Sequence, residues 1–148
     1  MTAPPRVFFD ANVWFVGAAS PEGASAMLLA LCQEGHCTAT VTRLILQEAE
    51  KNLRAKTTFR DAALVRFYRL IAAPGLRIIA APSSEETARY TGLIHPKDTH
   101  VLAGASKAKA AALITLDRKH FWTPTIRQAT LPFEILTPGA FLHRLVAE

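Results

Sequence analysis

The sequence predicts an α/β fold, a three-layer α/β/α sandwich around a mostly parallel central sheet of four to five strands. Short apolar or β-branched runs alternate along the chain with longer stretches whose apolar residues repeat at helical spacing. This alternation is typical of a parallel sheet covered by helices on both faces. The strand candidates are apolar along their length, as expected for strands buried on both sides. The chain of 148 residues fits a single domain, 1–148, because domains commonly contain ~100–200 residues.

Five strands are predicted from residue type and from the turn residues that bound each run. Four are strong candidates, rich in Val, Ile, Leu, Phe or Thr and bounded by turn signals such as Pro74-Gly75. The fifth is weaker and lies between Pro132 and Thr137. The predicted strands are 6–9, 37–42, 76–81, 112–116 and 133–136.

Amphipathic helices are predicted between these strands. The first begins near Trp14, and apolar stripes at helical spacing predict others over about 21–35, 43–55, 59–73 and 140–146. Ser84 is expected to cap a further helix, with acidic residues in its first turn. Asp98 stands at the start of another helix with an apolar stripe.

The cysteine content and the apolar runs predict a cytoplasmic protein. Two cysteines, Cys32 and Cys37, are too few for a disulfide framework, and we expect reduced thiols in the core. The first residues lack the cationic and apolar regions of a signal peptide. No apolar run approaches the ~18–20 residues of a membrane-spanning helix, so no membrane partner is expected.

The positive charge of the chain is concentrated in one segment. Lysine and arginine number 17 against 12 acids, a net charge of +5, and residues 51–69 account for the whole excess. Such a basic segment indicates a polyanionic partner, although a solvated helix face would have the same composition. Its basic residues are Lys51, Arg54, Lys56, Arg60, Arg66 and Arg69.

Four acidic residues are predicted to meet at one edge of the sheet. Asp10 directly follows the first strand, and Asp117 directly follows the fourth. The carboxyl ends of parallel strands form the edge at which ligands bind. Asp98 precedes the helix that leads into the fourth strand, and Glu48 lies near the apolar side of the helix after the second strand.

Converging carboxylates point to a divalent cation. They raise one another's pKa unless a cation neutralises them, and oxygen-only ligands favour Mg²⁺ or Mn²⁺ over zinc. Such sites hydrolyse phosphodiesters by activating water and stabilising the leaving oxygen. Each acid taken alone could instead be a helix cap or a surface residue.

Two other α/β classes with a strand-terminal aspartate are excluded. The phosphotransferases of the haloacid dehalogenase type carry D-x-D-x-T, but here Asn12 replaces the second carboxylate. A phospho-accepting receiver domain needs an Asp after the third strand, where this chain has Ala80-Ala81-Pro82.

Four segments together resemble the successive motifs of the PIN domain family. These segments are F-F-D-A-N-V-W at 8–14, V-T-R-L-I-L-Q-E-A-E-K-N-L at 41–53, K-D-T-H-V-L-A-G-A at 97–105 and L-I-T-L-D-R-K-H-F at 113–121. PIN domains are metal-dependent ribonucleases that include the VapC-type toxins of bacterial toxin–antitoxin pairs. The resemblance covers residues 6 to 137 and implies that the four acids are the catalytic and metal-binding residues. It places Asn12 and Thr115 at small polar positions near the metal.

The resemblance implies an endoribonuclease with a Mg²⁺ or Mn²⁺ cofactor, the toxin of a type II toxin–antitoxin pair. The partners it implies are an RNA substrate, a small antitoxin protein and a second copy of the chain in a homodimer. Lys51 and Arg54, on the helix of Glu48, are predicted to bind the RNA backbone. Two alternatives stay open, namely a PIN-like nuclease of RNA processing and a catalytically silent nucleic-acid-binding protein.

Residues next to these acids are expected to be structural. Phe121 is predicted to anchor the loop after Asp117 in the core, and His120 is expected to support the same loop. His100 follows Asp98 by two residues and is expected to face away from it on the helix.

Overall fold

A computed structural model describes residues 3–56 and 58–147 of the chain. In these residues an all-parallel five-stranded sheet has the order β3-β2-β1-β4-β5. The strands are β1 Arg6–Phe9, β2 Thr38–Thr42, β3 Arg77–Ile79, β4 Ala112–Ile114 and β5 Glu134–Leu136. The predicted fold class is confirmed, and each predicted strand is present, although β3 and β4 are shorter than expected.

Helices connect the strands in the predicted order. They are α1 Ala11–Ala19, α2 Ala24–Gln33, α3 Arg43–Lys56, α4 Arg60–Ala72, α5 Ser84–Ala88, α6 Thr99–Lys107, α7 Arg118–Phe121, α8 Pro124–Gln128 and α9 Pro138–Ala147, with a 3₁₀ turn at Pro96–Asp98. The short helices α7 and α8 were not predicted. Each begins at a side-chain cap, Asp117 for α7 and Thr123 for α8.

The cap of α5 lies one residue earlier than predicted. Ser83, not Ser84, is the N-cap, and its hydroxyl accepts a hydrogen bond from the Glu86 N–H at 3.1 Å. The Glu86 carboxylate in turn accepts the Ser83 N–H at 2.8 Å. This reciprocal capping box needs an acid three residues after the cap, a spacing that places Ser83 opposite Glu86.

The two faces of β1 are covered by different helices. Phe9 contacts Trp14 of α1 edge-on, with ring centroids 5.9 Å apart, and both side chains are buried. On the same side, α1 packs against α2, α3 and α4. Phe8 points the other way, toward Gly104 of α6, which packs on β1 and β4. The predicted three layers are therefore confirmed.

The strand order reverses next to β1. The chain runs outward from β1 through β2 to β3, and then returns across the sheet to β4 on the other side of β1. Phe9 is paired with Ile114, and the Asp10 N–H donates to the Ile114 carbonyl at 3.0 Å. The residues that follow β1 and β4 are thus neighbours at the point where α/β proteins bind ligands.

The expectation of reduced cysteines is wrong, because Cys32 and Cys37 form a disulfide. Helix α2 ends at Gln33, and Gly35 has a φ of 92° that reverses the chain. The His36 N–H donates to the Leu31 carbonyl and closes this turn. The two cysteine Cα atoms are consequently 4.4 Å apart, within the range of disulfides.

None of the helices in the described part of the chain has by itself the length and apolarity to cross a membrane. The helices Ala11–Ala19 and Ala24–Gln33 reach those limits only as a pair, with a bend of 99° between them.

Replacing Gly104 by alanine tests the contact of α6 with β1. A Cβ at this position would lie 2.6 Å from Cζ of Phe8, whose ring is fully buried. We expect Gly104→Ala to lower the free energy of unfolding by about 1–3 kcal/mol, as overpacked core substitutions do. Denaturant unfolding provides the measurement.

Gly139→Ala is the matched control, because a Cβ there has no neighbour within 4 Å. It should leave stability unchanged or raise it by up to ~1 kcal/mol through better helix propensity. Equal stability of the two variants would contradict the close packing of α6 on Phe8.

Candidate functional site

The four predicted acids line one open cavity of about 290 Å³ at the carboxyl edge of the sheet. They come from four separate parts of the fold. Asp10 follows β1, Glu48 lies in α3, Asp98 ends the 3₁₀ turn before α6, and Asp117 caps α7. The structure thus brings together the acids that sequence spacing placed at this edge.

Asp10 is buried and held by three hydrogen-bond donors. Its Oδ1 accepts the Ala11 N–H at 2.8 Å and so caps α1. Its Oδ2 accepts the Thr115 hydroxyl at 2.8 Å and the Asn12 side-chain amide at 3.2 Å. The orientation of this carboxylate is therefore fixed by residues that directly follow β1 and β4.

Asn12 and Thr115 join the ends of β1 and β4 behind Asp10. The Asn12 amide donates to the Thr115 hydroxyl at 3.2 Å, and its Oδ1 accepts the Leu116 N–H at 2.9 Å. The Thr115 hydroxyl also accepts the Asp117 N–H at 3.1 Å. These residues therefore position the two strand-terminal aspartates relative to each other.

Burial makes ionisation of Asp10 unfavourable. The pKa of Asp10 is raised to about 6, chiefly by loss of hydration; the bonds from Thr115 and Ala11 oppose this shift, and the charges of Glu48 and Asp98 contribute to it. A cation in the cavity would remove this penalty, because it favours the charged carboxylate.

Asp98 has an oxygen that is suited to a ligand. It occupies the N-cap position of α6, yet its side chain makes no capping hydrogen bond. Its Oδ2 is buried and has no hydrogen-bond partner in residues 3–56 and 58–147. A buried carboxylate oxygen without a donor is costly, and a divalent cation would satisfy it. The donor set therefore fits a hard divalent ion.

His120 also lies in the cavity, which sequence reasoning missed. One ring nitrogen of His120 and one carboxylate oxygen each from Asp98 and Asp117 all lie within 4.8 Å of one another. The His120 Nδ1 is 2.8 Å from the Asp117 Oδ2. Phe121, the next residue, is buried as predicted. The available sequence signal was the spacing of three residues between Asp117 and His120, which brings two side chains together on one face of a helical turn.

His100, which is expected to face away from Asp98, does not line the cavity that the four acids share. Its ring is partly buried, and its Nδ1 is buried without a hydrogen-bond partner in the described residues. Burial lowers the pKa of His100, against the opposing effect of the Glu48 and Asp98 charges. The ring therefore lies within electrostatic reach of the acidic cavity.

The basic residues that line the cavity differ from the two predicted to bind the RNA backbone, although Lys56 belongs to the basic segment. Arg54 donates to the Tyr68 hydroxyl at 2.9 Å and lies 3.6 Å from Glu50. The wall of the cavity carries two lysines, Lys56 of α3 and Lys97 of the 3₁₀ turn, and not Lys51 or Arg54. The predicted RNA contacts of Lys51 and Arg54 stay a prediction.

Comparison with known families identifies a match over most of the chain. The family model described as PIN domain matches residues 6–119, about three quarters of the chain. No curated protein sequence matches the chain.

Several solved structures have a fold similar to this one at low sequence identity. PAE2754 from Pyrobaculum aerophilum has a TM-score of 0.67 and 17% identity, over 97% of this chain and 91% of that chain. VapBC2 from Rickettsia felis, bound to a promoter DNA fragment, has a TM-score of 0.61 and 15% identity, over 88% and 98%. The Mycobacterium tuberculosis Sarcin-Ricin loop cleaving toxin VapC20 has a TM-score of 0.56 and 14% identity, over 76% and 91%.

The raised pKa of Asp10 predicts a pH-dependent stability in metal-free protein. Because the folded-state pKa is about 6 and the ordinary value is 3.8, the folded protein binds this proton more tightly than the unfolded chain. The resulting stabilisation is complete below pH 3.8 and is lost as the pH rises through 6. Between pH 4 and 7 the loss amounts to roughly 2 kcal/mol.

Asp10→Asn removes this titration, so the difference in unfolding free energy between the two proteins isolates it. Denaturant unfolding in EDTA across this pH range provides the measurement. Parallel pH profiles for wild type and Asp10→Asn would contradict the buried, destabilised carboxylate.

Proposed function

The chain belongs to the PIN domain family, and we propose that it is a divalent-metal-dependent endoribonuclease, the toxin of a bacterial type II toxin–antitoxin pair. One observation carries the proposal. Four carboxylates from four separate parts of the fold line a single cavity at the strand-order reversal, and one of their oxygens is buried without a hydrogen-bond donor among the described residues.

The ion would be held by the four acids Asp10, Glu48, Asp98 and Asp117. Carboxylate oxygens of this kind suit Mg²⁺ or Mn²⁺. A divalent ion bound there supplies activation of water and stabilisation of negative charge on the leaving oxygen. The protein's contribution is to fix its ligands beforehand. Thr115 and Asn12 hold Asp10, and the Asp117 Oδ1 accepts the His120 N–H at the start of α7.

Lys56 and Lys97 are suited to bind the substrate backbone. Both are exposed and line the same cavity as the acids. Cationic side chains beside the site would neutralise phosphates on either side of the scissile bond, a contact that does not depend on the base sequence. Lys51 and Arg54 would extend this basic surface along the outside of α3.

Two of the similar structures support RNA as substrate and a small protein as partner. VapC20 is described as a toxin that cleaves the Sarcin-Ricin loop, which supports an RNA substrate for this chain. The Rickettsia felis structure is VapBC2 with a fragment of promoter DNA, which supports an antitoxin partner.

RNA cleavage by the purified protein tests the proposed activity. We expect cleavage with Mn²⁺ and none with EDTA, and fragments that carry a 5′-phosphate and a 3′-hydroxyl. Glu48→Gln and Asp98→Asn should each lower the rate on the order of a hundredfold or more, because ligands of one site act as a unit. The measurement combines gel analysis of labelled RNA with determination of the fragment ends.

Glu50→Gln is the matched control on α3. Glu50 contacts Tyr68 and Arg54 outside the cavity, so its neutralisation should preserve cleavage. Cyclic 2′,3′-phosphate ends, or undiminished cleavage in EDTA, would overturn the metal-dependent mechanism.

Two double variants distinguish the contributions to RNA binding of the cavity lysines and of the basic residues on the outside of α3. Lys56→Ala with Lys97→Ala should weaken binding of unrelated RNAs about equally and reduce the slope of log affinity against log salt by up to about two. Lys51→Ala with Arg54→Ala should have a smaller effect, because Arg54 is already paired with Glu50 and Tyr68. Binding is measured on a Glu48→Gln background, so that the RNA stays intact.

A larger loss of RNA binding in the Lys51/Arg54 variant than in the Lys56/Lys97 variant would instead place the bound RNA along the outer face of α3. Unchanged binding in both variants would make the basic segment a solvated surface.

A further inference from the structure

The position of His120 is fixed by its own short helix. The His120 N–H donates to the Asp117 Oδ1 at 3.2 Å, which caps α7. Phe121, which follows, is 1% exposed and packs in the core. The backbone of His120 is thus held on both sides, and its ring lines the acidic cavity.

The contact with Asp117 also fixes the tautomer of His120. An ionised carboxylate only accepts hydrogen bonds, so the Nδ1 at 2.8 Å from the Asp117 Oδ2 carries the hydrogen. In the neutral ring the Nε2 then has a free lone pair. A carboxylate that holds one ring nitrogen while the other binds a metal is the usual arrangement of metal-ligating histidines. In this arrangement the Asp117 Oδ2 acts on the ion through His120 and is not itself a ligand of the ion that Nε2 binds.

His95 is a nearby histidine with the opposite tautomer. Its ring centroid is 6.5 Å from that of His120. The His95 Nδ1 accepts the Lys97 N–H at 3.2 Å, so in the neutral ring its Nε2 carries the hydrogen and offers no lone pair. Of these two rings, His120 is therefore the one prepared to bind a cation.

We propose that His120 is a nitrogen ligand of the divalent ion, which makes the site a mixed nitrogen–oxygen site and not an all-oxygen one. The proposal rests on the metal dependence proposed above and specifies the ion. One ring nitrogen of His120 and one carboxylate oxygen each of Asp98 and Asp117 lie within 4.8 Å of one another, and the buried Asp98 Oδ2 has no hydrogen-bond partner in the part of the chain that the structure describes. An imidazole ligand favours Mn²⁺ over Mg²⁺, because Mg²⁺ is the harder ion and prefers oxygen.

Electron spin-echo spectroscopy of the full chain with one equivalent of Mn²⁺ tests this directly. Modulation by ¹⁴N reports a nitrogen bonded to Mn²⁺ and does not depend on catalysis. We expect it in the wild type and in the matched control His95→Asn. We expect its loss in His120→Asn, whose amide can still donate to Asp117 in place of Nδ1 but has no counterpart of Nε2.

The ratio of Mn²⁺ to Mg²⁺ affinity provides a second readout, taken from the dependence of the melting temperature on metal concentration. His120→Asn should lower this ratio about tenfold, the scale of the loss on altering a metal site's ligand environment. His120→Gln, which offers an oxygen near the Nε2 position, should retain Mg²⁺ binding and lose the ¹⁴N signal.

Bound Mn²⁺ without ¹⁴N modulation in the wild type, or modulation that persists in His120→Asn, would overturn the role of His120 and leave the metal-dependent nuclease intact. Failure of the wild type to bind Mn²⁺ at all would overturn both the proposed function and this inference.

Discussion

The parallel pairing of β1 with β4 in the middle of the sheet is the constraint on which the site depends. These strands are neighbours in the sheet, but in the chain they are separated by β2, β3 and their helices. The pairing of Phe9 with Ile114 places Asp10 beside Thr115. The hydroxyl of Thr115 then links Asp10 to the backbone of Asp117. A register shift of one residue would separate these groups and turn the following side chains to the opposite face.

The parts of the fold with strong local signals could be predicted from the sequence. The β-branched and apolar runs gave the strands, and their position in a parallel sheet implied that Asp10 and Asp117 share one edge. Asp98 was predicted there from its position at the start of the helix that leads into β4, and Glu48 from its position near the apolar side of the helix after β2. The structure puts all four acids in one cavity. Helix ends were less predictable, because a cap such as Ser83 depends on which neighbour can reciprocate the hydrogen bond.

Side-chain positions that depend on rotation about a helix, or on the geometry of a turn, were harder to predict from the sequence. Along α3, Asn52 and Lys56 follow Glu48 at intervals of four residues and share its cavity, as helical periodicity allows. Arg54 lies six residues after Glu48, on a different face, and pairs with Glu50. The disulfide of Cys32 with Cys37 required the left-handed Gly35, a backbone feature that cysteine spacing alone does not indicate.

The energetics of Asp10 favour the proposed cation site over a role in stability alone. Three donors hold this carboxylate, yet its pKa is still raised to about 6 because burial outweighs their effect. A residue needed only to cap α1 could lie at the surface, where its charge would cost little. Instead the neighbouring acids Glu48 and Asp98 add to the cost, and the free energy that a bound cation recovers is largest where its ligands repel one another most.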